Sequence, residues 1–286
     1  MSAKVKSFFH QDTNTWSHLV ICQKSQKAIL IDPVLDYSAN NARTASTSVD
    51  VILNYVSTQK IKLEHILETH AHADHITASA YIKDKLPVKI LIGKGIINVQ
   101  KTFNKIFNYS EKFISNGHQF DDLLEDAQII PFGSCEVLTM HTPGHTNDSM
   151  TYIVGDAVFI GDTLFAPDYG SARCDFPGGD AATLYDSVKS IYALGEDKKL
   201  YLCHDYPVND RKPKSWFYAS DQKLNNIHIN AKSTKKAFIE LRESRDRSLS
   251  APELIIPSIQ INIRAGHMPK PEHNGISYLK SPLNTL

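Results

Sequence analysis

The chain has 286 residues, and its 31 lysines and arginines equal its 31 aspartates and glutamates, so the formal net charge at pH 7 is zero. Such a balance excludes a broad electrostatic grip on nucleic acid or on an anionic membrane, and no segment has the uninterrupted apolar length that spans a bilayer. The length allows one large domain or two modest ones that bury roughly 75% of the unfolded surface.

Met1 to His10 lacks the apolar centre of a secretory signal, which points to a soluble cytoplasmic protein. Leu19 to Cys22 and Ala28 to Ile31 predict a hairpin-like pair ending at Asp32-Pro33. Val49, Ile52, Leu53 and Val56 recur at helical spacing and predict a helix whose apolar stripe packs on a sheet. Glu64 to Glu68 then reads as a short strand and Ile76 to Ile82 as the first turns of a helix. The loop between them, Thr69-His70-Ala71-His72-Ala73-Asp74-His75, concentrates metal-ligand side chains in a way that packing does not call for. Alternation at the strand end points His70 and His72 the same way, while Asp74 and His75 converge from the helix entrance. One metal ion or two adjacent ones fit that geometry.

Further along, the strand-like run Cys135 to Met140 leads into His141-Thr142-Pro143-Gly144-His145, where the Pro-Gly pair forces a tight turn that aims the His145 imidazole. Ala157 to Ile160 reads as a short buried strand ending in Gly161-Asp162-Thr163, and Asp162 is the natural anionic ligand. Asp180 caps a predicted helix with the apolar face Leu184, Val188, Ile191 and Tyr192, stopped by Gly195. Leu200 to Cys203 is another strand, and its end delivers His204. Strand ends thus present the ligands. Beyond Pro213 the character changes: Ser215 to Glu243 is polar, lysine-rich and helical, followed by a proline-containing tail from Ala251. Of the cysteines, Cys22, Cys135 and Cys203 lie in strand-like runs and read as buried apolar residues, whereas Cys174 sits in a loop, where it either fills space or presents a reactive thiol.

In this order, THAHADH, HTPGH, GDT and CHDY resemble the signature of the metallo-β-lactamase fold superfamily, from about Asn14 to Tyr206. The resemblance implies an α+β fold, an αββα sandwich over residues 1–210, with residues 211–286 as a C-terminal helical extension packed on the core at the substrate entrance. Carried over, His70, His72 and His145 correspond to a first metal site, Asp74, His75 and His204 to a second, and Asp162 to the ligand between them. The stretch Gly161 to Gly179, with Gly170-Ser171-Ala172-Arg173-Cys174-Asp175-Phe176-Pro177-Gly178-Gly179 at its end, is similar to the persulfide dioxygenases, also called sulfur dioxygenases, and within them to a bacterial β-lactamase-like group. Glyoxalase II shares the GDTLF segment but continues differently.

That resemblance implies an iron-dependent dioxygenase that oxidises glutathione persulfide with O2 to sulfite and glutathione. One Fe(II) per chain would be held by His70, His145 and Asp162, the two-histidine, one-carboxylate arrangement of non-haem iron oxygenases. Asp74 and His204 would orient ligands and bound water, with His72 and His75 in supporting or unused second-site positions. The residues alone equally permit zinc, one or two ions per chain, and with it a glutathione thioesterase of the glyoxalase II type (a hydroxyacylglutathione hydrolase). Arg173 is the candidate grip on a substrate carboxylate, its alternative being a salt bridge to Asp168 or Asp175. Tyr206 and Thr146 are further candidates for substrate contact. The expected partners are small molecules, with neither nucleic acid nor membrane, and a homo-oligomer is left open.

Overall fold

The computed structural model describes residues 3–109 and 113–285. In chain order its strands are β1 (Ala3–His10), β2 (Thr15–Cys22), β3 (Lys27–Ile31), β4 (Val34–Ser38), β5 (Arg43–Ala45), β6 (Lys62–Glu68), β7 (Ile76–Thr77), β8 (Lys89–Gly93), β9 (Asp122–Leu124), β10 (Ile129–Phe132), β11 (Cys135–His141), β12 (Met150–Val154), β13 (Ala157–Phe159), β14 (Lys199–Tyr201) and β15 (Trp216–Tyr218). The helices are α1 (Thr47–Thr58), α2 (Ser79–Lys85), α3 (Ile96–Ile106), α4 (Ala181–Ala193), α5 (Ala219–Asn225), α6 (Lys235–Asp246) and α7 (Ile255–Asn262).

Two six-stranded sheets carry the fold, ordered β1-β2-β3-β6-β8-β9 and β10-β11-β12-β13-β14-β15, with a small sheet β5-β4-β7 beside them. Successive side chains of a strand face opposite sides; in β2, β3, β8, β12 and β13 both sides are buried, whereas β10 and β11 alternate between buried and exposed. Val20, Ile29, Ile31 and Leu67 from the first sheet meet Phe132, Val137, Tyr152 and Phe159 from the second in a core between the sheets. Their strand neighbours Leu19, Ile21, Leu30 and Ile66 turn outward onto Val49, Ile52 and Val56 of α1, onto α3, and onto Ile255, Ile259 and Ile261 of α7. On the far side, Val158 and Leu200 pack against Leu184, Val188 and Ile191 of α4 and Phe238 of α6. Helix, sheet, sheet, helix is therefore the layer order, a mixed α/β sandwich as expected.

The expected hairpin is β2–β3, with His18 opposite Ile31. Asp180 caps α4 by accepting a bond from the Thr183 amide at 2.6 Å. Two expectations are corrected. Ile76 and Thr77 do not open a helix but pair with Leu35 and Val34 in the small sheet. The buried Glu68 carboxylate draws in the Thr77 and Ser79 hydroxyls, and the helix starts only at Ser79. Nor is Ser215 to Glu243 helical throughout. Trp216-Phe217-Tyr218, an aromatic run that favours a pleated surface, closes the edge of the second sheet against β14, with Phe217 opposite Leu200. All four cysteines are buried, and burial pushes the Cys174 thiol up to about 12, so it stays protonated.

Candidate metal centre

The histidine-rich loop leaves β6 with no regular structure of its own, so its backbone must be satisfied by other segments. Asp32, at the end of β3, accepts from the Thr69 amide at 2.7 Å and from the Thr69 hydroxyl at 2.8 Å. Asp148 accepts from the Ala71 amide at 2.8 Å. The Met150 amide donates to the Thr69 carbonyl at 2.8 Å. His145 follows Gly144, whose φ of +136° and lack of a side chain let the turn lie on Leu184, where a Cβ would fall 2.4 Å from backbone. Asp162 sits in the short turn Gly161–Thr163 just past β13.

His70, His145 and Asp162 come together, each buried, with their ligand atoms within 4.8 Å of one another. The Nε2 atoms of His70 and His145 are each 3.8 Å from the Asp162 carboxylate. Their tautomers follow from the other ring nitrogens. Because the Thr69 hydroxyl donates to Asp32, it accepts from Nδ1 of His70 at 3.0 Å. Nδ1 of His145 donates to the Arg173 carbonyl at 2.8 Å. Both Nε2 lone pairs are thereby left aimed at the carboxylate, as a metal ligand requires. Burial, with the neighbouring His72 and His145 charges, holds His70 well below the usual imidazole range and so neutral. Burial pushes the Asp162 carboxyl up, partly offset by His204 and His145.

His204 completes the carboxylate's surroundings. Its Nδ1 donates toward the Thr13 carbonyl at 3.3 Å, and its Nε2 lies 3.1 Å from Asp74 and 3.6 Å from Asp162. The next residue, Asp205, is gripped through both oxygens by Arg211, which also binds Asp168. His72 turns elsewhere: its Nε2 donates to Asp32 at 3.1 Å and lies 3.3 Å from Glu68. His72, His75 and His204 form a further buried group within ligand distance. Buried atoms without a hydrogen-bond partner include His70 Nε2, His72 Nδ1, His75 Nε2, Asp162 Oδ1 and His204 Nε2. Unpaired buried polar atoms are costly, and a cation is the partner that this convergent set of nitrogens and carboxylates fits.

A cavity of about 500 Å³ opens onto Asp74, His145 and Asp162, with Phe165 and Tyr206 on its wall. The segment after α6 contributes Leu249 and Leu254 to the same wall. Tyr206 lies parallel to His204, with 9° between the rings, and its hydroxyl is 3.5 Å from Asp74. Arg173 also faces the cavity, but Asp175 takes two of its nitrogens at 2.6 Å each and the Ser250 carbonyl a third at 2.6 Å. Thr146 lies off this cavity and shares a hydrogen bond of 2.6 Å with Ser149. Sequence reasoning missed Asp32, Glu68, Asp148, Arg211 and Asn262. A carboxylate closing the apolar run Ala28 to Ile31 was the available sign for Asp32; the others carry no local signal.

A two-sheet sandwich with imidazole and carboxylate lone pairs converging past the ends of β6, β11, β13 and β14 defines a metal-dependent enzyme scaffold. The model of the metallo-beta-lactamase superfamily matches residues 11–204, and the chain belongs to that superfamily. It is 44% identical to Glyoxylase B2 of Dictyostelium discoideum, over 99% of this chain and 98% of that protein. It is 30% identical to the human mitochondrial persulfide dioxygenase ETHE1, over 71% of this chain and 68% of that one. The crystal structure of ETHE1 from Myxococcus xanthus superposes with a TM-score of 0.73 at 28% identity, covering 92% of this chain and all of that one. The superfamily expected from the four motifs is thus borne out.

Proposed function

We propose that the chain is an iron-dependent persulfide dioxygenase that oxidises glutathione persulfide with O2 to sulfite and glutathione. One observation carries this reading. Of the ligand groups brought together among the described residues, His70-His145-Asp162 is the one with two members on the cavity wall, and it is a two-histidine, one-carboxylate set. The likeness to ETHE1 proteins points the same way.

Bound there, Fe(II) supplies the redox chemistry that O2 needs to oxidise a sulfane sulfur. The protein's own residues do the rest. The Thr69 hydroxyl and the Arg173 carbonyl fix the two imidazoles; Asp74 and His204, 3.1 Å apart and beside Asp162, orient ligands and bound water. Burial keeps the Tyr206 phenol protonated, so it serves as a donor to substrate. The Arg173 side chain, fastened to Asp175 and Ser250, locks its own carbonyl onto His145 and presents what remains of its charge to a substrate carboxylate. Water provides the remaining oxygen of sulfite.

A second reading is a dinuclear zinc hydrolase of the glyoxalase II type, favoured by the His72-His75-His204 group and by the likeness to Glyoxylase B2. Purified without added metal, the protein is expected to carry one iron per chain by elemental analysis; two zinc ions per chain would favour the hydrolase instead.

A further inference from the structure

The histidine loop is pinned by side chains from three distant segments. Two of them, Asp32 and Asp148, lie within the residues that the superfamily model matches. The third is Asn262, the last residue of α7. It is 3% exposed, and its Nδ2 donates to the carbonyls of both His72 and His75, each at 2.8 Å, while its Oδ1 accepts from the Thr77 amide at 2.9 Å. One amide thus uses both donors and its acceptor on the two ends of the segment that carries Asp74. Neither carbonyl has a strand or helix partner, so loss of Asn262 leaves them buried and unpaired.

We propose that Asn262 is a positioning residue of the metal centre, so that the C-terminal segment completes a site otherwise built by the sandwich. Clamping two carbonyls three residues apart fixes the direction in which His72, Asp74 and His75 leave the backbone. That direction sets the distances of Asp74 and His75 to His204, and through His204 to Asp162. The inference rests on reading this cluster as a metal centre.

The test uses Co(II), whose visible absorption reports ligand geometry, titrated into the 286-residue chain and followed alongside thermal unfolding. Asn262→Ala and the isosteric Asn262→Asp, which replaces the donors with a carboxylate facing two carbonyls, are each expected to weaken Co(II) retention about 10 to 100-fold and to change its absorption. The Asp variant keeps the test open should the Ala variant not fold. Gln260→Ala is the control: Gln260 lies on the same helix but ties the Lys280 backbone instead, so its loss should lower Tm and leave Co(II) binding unchanged. Asn262 variants that lose Tm yet bind Co(II) with wild-type affinity and absorption would overturn the inference. Failure of the wild-type protein to bind Co(II) at all would overturn the metal-centre reading itself.

Discussion

On the single-iron reading, alanine at His70, His145 or Asp162 is expected to abolish metal retention, each change removing one of the three proposed protein ligands. Asp74→Ala and His204→Ala should instead weaken retention by about 10 to 100-fold, because these groups act on the ligands and bound water from one step away. Metal content after dialysis against a chelator of graded strength separates the two classes. Two tightly held ions, both lost on changing Asp74 or His204, would show a dinuclear site in their place. Urea unfolding of the metal-free variants measures separately what the lost ring bonds cost, since His70 also binds Thr69 and His145 the Arg173 carbonyl.

Asp32→Ala should be the most destabilising single change near the site. Asp32 is 1% exposed and accepts from the Thr69 amide, the Thr69 hydroxyl and His72. Its removal strands those donors in a dry interior, a loss of about 3 to 5 kcal/mol by analogy with broken buried ion pairs. Urea unfolding of the metal-free protein measures it. The pH dependence has a definite sign. Burial opposes charge on both partners, but their attraction and hydrogen bonds outweigh it, holding Asp32 below the usual carboxylate range and His72 well above the usual imidazole range. The Asp32 contribution is therefore present above its unfolded value near 3.9 and lost as pH falls through the depressed one. The His72 contribution is full below its unfolded value near 6.5 and fades as pH rises through the raised one. The difference between wild type and Asp32→Ala should peak between about pH 4 and 6.5. A loss below about 1 kcal/mol throughout that window would mean that water replaces the carboxylate.

The candidate ligands were legible in the sequence because they follow short strand-like runs, and two of them also stand next to turn residues whose chemistry fixes the backbone. His145 after Pro143-Gly144 and Asp162 after Gly161 are the clearest cases. The grips on those ligands were not legible. Asn262 bonds to His72 across 190 residues, and such convergence leaves no periodicity or motif in either segment. Ile76 and Thr77 misled for a related reason: the run to Ile82 has helical spacing, but pairing with Val34 and Leu35 and the pull of Glu68 override local propensity. For Arg173 the sequence allowed a clamp or a salt bridge, and the fold seats the guanidinium on Asp175 while keeping it on the cavity wall.

Oxygen uptake tests the central claim most directly. Fe(II)-loaded protein in a closed electrode cell should consume O2 when glutathione persulfide is added, with sulfite appearing in step, and His145→Ala protein should do neither. Rapid hydrolysis of S-lactoylglutathione by the same preparation, with no oxygen uptake on persulfide, would contradict the dioxygenase reading and establish the hydrolase in its place.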